Sequence, residues 1–583
     1  MRYVTRITPL IVLPSLIFIA FIPTLSGQFI LDDIPFVKEN PYIQEFHSPL
    51  SYLSQEDGII PNGADSGHSG YYRPLVNLTY TIDFKIWGLK PMGFRMTNLL
   101  LHIATCLLLY QFLMLLTEKR IGALWAVLLF AFHPANTEAV SWVTSRNNIL
   151  VTFFGLGAIY FYIKRERGGV KWVGAMSLLC FAAALLSKEF AVMLLPILFL
   201  YNLLIPSDRE RSKGEYFDYI AFGLLILCYM ALRKVATQSF ITPCSNDQLL
   251  KGFYFAPYLL TYYLRIILLP YGLHNFVIGY SDDSFTKEAI FGFFCLGLVG
   301  LLLWRNRSNR FLLFSALSFI TALFPVLHII PTTSVSLVSM RWLYFPMVFP
   351  CVALAQWLGK NTSLGEFSFQ SVLLGLVVLY LGLYTYILNQ NLWANEKRFF
   401  EKEVVLFGNN FFAGDLARIY QLKGFHRKAD LYYRKAISSY PDKPKTYINY
   451  AAFLVEIKKP KAALYFLEKA ERLNPLEEDQ AKLYNNKGVA YFQMRNYDDS
   501  IKSFLKAVEI MHQNPDFLIN LGTVYGVIGE HEKAVSVFKR CLNLDTDKAA
   551  LRRKIGHAYM AMGDSVNAAR FLGNIHHEIQ KGR

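Results

Sequence analysis

PMGFRMTNLLLHIATCLLLYQFLMLLTEKRIGALWAVLLFAFHPANTEAVSWVTSR, residues 91–146, decides the fold class. Residues 92–116 form an almost uncharged run long enough to cross a bilayer as a helix. Lys119 and Arg120 interrupt it, a shorter apolar run follows at 121–133, and the chain breaks at His133 and Pro134 into a polar stretch. Inside hydrocarbon the backbone polar groups must satisfy one another, so such runs are helices. Short basic connectors stay on the cytoplasmic side. The polar stretch from His133 to Arg146 is therefore expected to face outward.

The same alternation recurs along the first 390 residues. Further spans are expected near 8–27, 149–163, 172–187, 190–205, 217–233, 288–304, 311–328, 342–359 and 370–389, about eleven in all. Residues 255–271 are read as an interfacial or re-entrant segment. With that choice the basic runs at Lys119, Lys164 to Lys171, Arg209 to Lys213 and Arg305 to Arg310 all lie inside. The first apolar stretch has no small-residue cleavage site before a soluble domain and is read as an uncleaved span. Composition agrees: 583 residues at 54% hydrophobic and 17% charged are too apolar for one soluble protein. The seven cysteines show neither a disulfide framework nor zinc-ligand spacing.

From Asn410 a different pattern takes over, with a period of 34 residues. Ala417, Ala451, Gly488, Gly522 and Gly556 hold a small position. Tyr420, Leu454, Tyr491, Tyr525 and Tyr559 follow three residues later, and Ala429, Ala463, Ser500, Ala534 and Ala568 twelve later. Tyr433, Leu467, Phe504, Phe538 and Leu572 complete each unit. Small residues permit close crossing of two helices, and the aromatics fill the gaps between units. The domain reading is thus 1–395 membrane domain with an outer loop at 28–91, 396–409 connector, and 410–583 repeats starting near 410, 444, 481, 515 and 549. The class is all-α. The repeat part carries 28 basic and 19 acidic residues, spread along amphipathic helices, which reads as a solvated face. The net charge of +16 follows the membrane-topology pattern, and no nucleic acid is expected as a partner.

Candidate chemistry collects on the outer side. Asp32 and Asp33 stand just beyond the first span; one of them can serve as a general base, the other positioning it or binding a metal. A helix cap with a turn explains the same pair, because Pro35 follows. Glu138 lies in the HPANTEAV stretch, close to His133, and Glu189 adjoins Lys188. Lys188, Arg146 and Arg341 can hold a departing phosphate through charge-assisted hydrogen bonds. Each has a bland alternative: Lys188 with Glu189 as a self-contained ion pair, His133 with Pro134 as a helix stop. Ionisable residues at the span ends of an apolar domain are costly without a role, and their convergence on one side favours a site.

Taken together, the Asp pair, YYRPLVNLTY from Tyr71, FRMTNLLLHI from Phe94, FHPANTEAVSWVTSRNN from Phe132, ALLSKEFAVMLLP from Ala183 and MRWLYFP from Met340, followed by repeats of this type, resemble one family. It is that of the transmembrane and tetratricopeptide-repeat-containing proteins and their prokaryotic relatives. The resemblance covers nearly the whole chain and implies a multi-span membrane domain of the GT-C glycosyltransferase fold followed by an α-solenoid. It implies that Asp32 or Asp33 matches the acidic motif of the first outer loop, that Glu138 falls on the second acidic loop position, and that Lys188, Glu189 and Arg341 match the remaining stretches. Trp342 stands where tyrosine is usual.

The expected activity is transfer of a sugar, a hexose such as mannose, from a polyprenyl-phosphate donor to hydroxyl groups of extracytoplasmic proteins. Asp32, Asp33 and Glu138 are the catalytic candidates; Lys188, Arg341 and Arg146 bind the donor phosphate; His133 and Glu189 support them. No cofactor is required and no metal site is predicted, although paired carboxylates leave room for a divalent cation. The partners are the lipid-linked sugar, membrane lipid, and a protein acceptor bound through the repeats. The amino terminus is expected in the cytoplasm and the repeats outside. Two other readings stand beside this one: the same donor with a glycan, lipid or envelope-polymer acceptor, and a membrane-anchored scaffold whose repeats assemble envelope proteins.

Overall fold

The computed structural model describes residues 4–54, 71–168, 170–205, 213–237, 246–275, 282–329, 336–361, 369–542, 544 and 548–573. Part of the first outer loop and the Arg209 to Arg211 run lie outside the described residues. No strand occurs among them, and the chain divides into two compact units at Phe407 and Gly408.

In the first unit the apolar runs are helices. Pro91–Thr117, Asp218–Thr237, Lys287–Arg305 and Phe369–Trp393 are long and apolar enough to cross a membrane, and shorter apolar helices such as Arg120–Ala131 and Trp172–Leu185 accompany them. The chain is an integral membrane protein. Pro91 opens its helix at the position where a missing N–H costs nothing.

Two stretches differ from the sequence reading. The run expected at 342–359 begins with tight turns, Met340–Leu343 and Pro346–Val348, and becomes α-helix only over Pro350–Asn361. Pro346 and Pro350 lack the N–H groups that a continuous helix would need at those positions. Residues 255–268, read as part of a partial segment, belong to a continuous helix, Asn246–Leu268. A further helix, Pro74–Trp87, stands within the outer loop.

The second unit consists of helix pairs, beginning with Ala413–Leu422 and His426–Ser439 and ending with Lys548–Ala561 and Ser565–Gly573. The small position is a steric requirement. A Cβ on Gly488 would stand 2.6 Å from the Phe504 ring, and one on Gly522 2.6 Å from Phe538. Both rings are buried, as the repeat pattern requires.

Candidate functional site

The first outer loop leaves its span through a turn at Ile22–Ser26, and the turn is pinned by Arg95. This fully buried guanidinium donates to the carbonyls of Thr24 and Gln28, each at 2.6 Å, and of Trp393 at 2.7 Å. Asn98, one turn along the same helix, ties down the Glu138 hairpin through the carbonyls of Val140 and Trp142. These contacts give FRMTN its physical content.

The two aspartates part company. Asp33 is wholly buried, and its carboxylate accepts from the Thr144 N–H at 2.9 Å and the Ile30 N–H at 3.2 Å. It staples the outer loop to the turn after Glu138. Burial raises it to about 6, against the pull of Arg95 and those N–H groups. Asp32 is exposed, and among the described residues its carboxylate accepts no hydrogen bond. Protein packed around it raises its carboxyl above the ordinary range, while Arg341 and Arg73 pull the other way. Asp32 therefore lies within electrostatic reach of two guanidinium groups, and among the described residues both its oxygens are open.

Arg341 is held in place by Glu138. Glu138 Oε1 accepts from Arg341 Nη1 at 2.6 Å and Ser339 Oγ at 2.6 Å, and Oε2 accepts from the Arg341 backbone N–H at 3.2 Å. The buried carboxylate is thus fully committed to the MRWLYFP turn. The guanidinium lies over the Trp142 ring at 4.5 Å and has Trp342 at 5.8 Å on another side. The tryptophan at 342 is therefore compatible with the arrangement.

Lys188 and Arg73 are also set on rings. Lys188 lies over Phe190 at 3.9 Å and donates to Asn148 Oδ1 at 2.6 Å. Arg73 lies over Tyr71 at 4.2 Å and bonds Glu189 at 3.2 Å. Burial lowers Lys188 well below its ordinary range, helped by Arg73. Burial raises Glu189, but Arg73 and Lys188 outweigh it and bring it down to about 2. So Lys188 and Glu189 do not form a self-contained pair; each is drawn into the cluster by a different partner.

Arg146, expected among the phosphate-binding cations, is held elsewhere. Its guanidinium is fully buried and donates to Asn98 Oδ1 at 2.7 Å, Thr79 Oγ1 at 3.1 Å, the Phe94 carbonyl at 2.9 Å and Asp83. It anchors the start of its helix to the outer-loop helix and does not join the cations facing Asp32. His133 likewise has a holding geometry: Nδ1 accepts from the Ala135 N–H at 3.2 Å, which leaves the Nε2 proton for the Ile267 carbonyl at 3.2 Å. Burial lowers it to about 4, so it is neutral. Sequence reasoning missed Arg73, Asp83 and Arg95. The signal for Arg73 was an arginine immediately before the proline that opens a helix.

An apolar cavity of about 400 Å³ is lined among others by Leu129, His133, Leu268, Pro350, Leu354 and Tyr380. Among the described residues no group of three or more His, Cys, Asp or Glu is placed to hold a metal ion.

The chain is similar to known proteins in both of its parts. Residues 73–233 match the family described as dolichyl-phosphate-mannose-protein mannosyltransferase, and residues 479–547 match the tetratricopeptide repeat. Among curated proteins, protein O-mannosyl-transferase Tmtc1 of Drosophila melanogaster is 31% identical over 34% of this chain and 23% of its own length. Protein O-mannosyl-transferase F38B6.6 of Caenorhabditis elegans is 25% identical over 59% of this chain and 50% of its own. Protein O-mannosyl-transferase TMTC3 of Homo sapiens is 24% identical over 91% of this chain and 63% of its own. The chain thus spans less than two thirds of the length of these relatives. The family resemblance carried by the motifs is borne out.

Proposed function

We propose that this chain, similar over 91% of its length to a transmembrane and tetratricopeptide-repeat-containing protein O-mannosyltransferase, is a membrane glycosyltransferase of that kind. It moves a mannose-type sugar from a polyprenyl-phosphate donor to hydroxyl groups of extracytoplasmic proteins. The observation that carries the reading is the contrast between the two aspartates. Asp33 is consumed in holding a loop, whereas Asp32 stands open before Arg341 and Arg73.

In this reading Asp32 is the general base. It takes the proton of the acceptor hydroxyl; the oxygen attacks the anomeric carbon; the bond from that carbon to the phosphate oxygen breaks, and its electron pair leaves with the phosphate. Arg341, Arg73 and Lys188 stabilise the negative charge developing on the leaving group. They are held beforehand by Glu138, Glu189 and Asn148, so little reorganisation is needed. Glu138 and Asp33 are positioning residues. The apolar cavity suits an isoprenoid chain, with His133 at its polar end. The repeats bind the protein acceptor and raise its local concentration. The amino terminus lies in the cytoplasm and the repeats outside, where the acceptors are.

Glycopeptide mass spectrometry of extracytoplasmic proteins tests this. Cells carrying the native protein, a deletion, or Asp32→Asn are compared. Hexose lost equally in the deletion and in Asp32→Asn is the expected result. Hexose unchanged in both would sink the reading and leave a non-protein acceptor or a scaffold.

A further inference from the structure

We infer that residues 389–407, which lead out of the last long helix of the membrane unit, form the back wall of the active site, with Glu403 and Lys402 as positioning residues for the transfer reaction. The inference rests on the function proposed above. In the sequence most of this stretch reads as a connector, and a connector's charges are expected in solvent. Here they are not. Glu403 is fully buried, and its Oε1 accepts the backbone N–H of Asn275 at 3.2 Å. Lys402 donates to the Leu273 carbonyl at 2.8 Å. A carboxylate enclosed in protein is costly unless its acceptor capacity is needed, and its partner lies 128 residues earlier in the chain.

The same segment touches the Glu138 stretch and the turn that opens the first outer loop. Asn389 accepts from Ser141 Oγ at 2.7 Å and donates to the Ala20 carbonyl at 3.1 Å. The Trp393 carbonyl takes one of the hydrogen bonds of Arg95, which also fixes the start of the loop bearing Asp32. Gly27 is required at that junction, since a Cβ there would stand 1.5 Å from Arg95 Nη1 and 2.2 Å from the Trp393 carbonyl. The Trp393 ring stacks at 6.3 Å on Trp142, the ring that supports Arg341.

Glu403 and Lys402 add the third loop. Leu273 and Asn275 follow the Asn246–Leu268 helix, whose Ile267 carbonyl holds His133. Tyr263 of that helix lies within electrostatic reach of Glu138 and Arg341, and Lys402 within reach of Glu138. Releasing the two clamps lets the helix end drift away from the Glu138–Arg341 turn. Misplacing a catalytic group by about 1 Å costs on the order of 10²-fold in rate.

The test uses the full chain in lipid nanodiscs, with mannosyl-phosphoryl-dolichol as donor and a synthetic Ser/Thr-rich peptide as acceptor. Glu403→Ala is expected to lower kcat by about 10²-fold with the donor KM little changed. Glu403→Gln keeps an acceptor oxygen for Asn275 and is expected to restore most of the rate. Lys402→Met is expected to lower kcat in the same way and covers the case in which Glu403→Ala does not fold. Hydrogen exchange runs in parallel, because it reads the clamp without needing turnover. Faster exchange over residues 263–275 and 138–146 in Glu403→Ala and Lys402→Met, reversed in Glu403→Gln, supports the wall. Unaltered exchange there, or a Glu403→Gln as slow as Glu403→Ala, overturns it. Wild-type protein that transfers nothing to the peptide speaks against the proposed function, and the exchange arm still decides the wall.

Discussion

In the repeat unit Arg434 meets Asp430 four residues away, with the arginine 65% exposed; in the membrane unit Arg146 meets Asp83 across 63 residues, with the pair almost wholly enclosed. Four further pairs show the same contrast. Lys482 with Glu478 and Lys502 with Asp499 are neighbours on one helix face, open to water. Arg341 with Glu138 spans 203 residues, and Arg73 with Glu189 spans 116. A pair in water gains little and can be exchanged freely, because the solvent already satisfies both partners. A pair enclosed in protein has repaid a large desolvation cost only through its particular partner, so each is specific. Within the membrane unit Asp32 stands apart: it is exposed, and among the described residues its carboxylate accepts no hydrogen bond. A carboxylate left open beside committed neighbours is the one on which chemistry is expected.

The largest effect is expected at Asp32. Replacement by Asn removes a general base, worth about 10²- to 10⁴-fold in kcat/KM. The base works only when ionised, so the rate falls as pH drops through its pKa. Because the surrounding protein raises that pKa, the acid limb lies above the ordinary carboxylate value of 3.8. Arg73 holds the pKa down, so Arg73→Gln is expected to move the limb to higher pH. A limb that stays in place, or moves down, removes Arg73 from the neighbourhood of the base.

Next come the enclosed pairs. Arg146→Met leaves Asp83 buried without its partner, at a cost of about 3–5 kcal/mol. The measurement is thermal unfolding in nanodiscs, and the double variant with Asp83→Leu is expected to recover much of the loss. A pair that behaves additively would place Arg146 back among the groups available to substrate. Smaller again is Gly522→Val in the repeats, where the added atoms meet the Phe538 ring. Overpacking of this kind costs about 1–3 kcal/mol. Limited proteolysis should show the repeat unit opening while the membrane unit keeps its protection.

The same contrast explains what could be read in advance. The repeats are local: Gly488 and Phe504 meet 16 residues apart, so periodicity exposes them. The apolar helices are also local, set by composition within one run. The pairing of charges is not. Arg146 and Arg341 are the same residue type, both at ends of apolar runs, and nothing within either stretch says that one finds Asp83 and the other Glu138. Asp32 and Asp33 are adjacent in sequence, and only the turn at Ile30 to Ile34 decides which carboxylate faces Thr144. Arg95 stood in a motif that carried the family resemblance, yet its three carbonyl partners come from both ends of the membrane unit.

The smallest effect closes the comparison from the other side. Arg434→Ala removes an exposed pair with Asp430, expected to cost no more than about 0.5 kcal/mol. Asp430 is not left stranded, because the Tyr450 hydroxyl still donates to its Oδ1 at 2.6 Å and water reaches the rest. That tyrosine bond belongs to the packing between successive repeats, so Tyr450→Phe should cost more than Arg434→Ala although it deletes no charge. Raising the salt concentration should shrink the Arg434 effect and leave the Tyr450 effect in place. If instead Arg434→Ala unfolds the repeats and Tyr450→Phe does not, the division between exchangeable exposed pairs and specific enclosed ones fails in the unit where it should hold best.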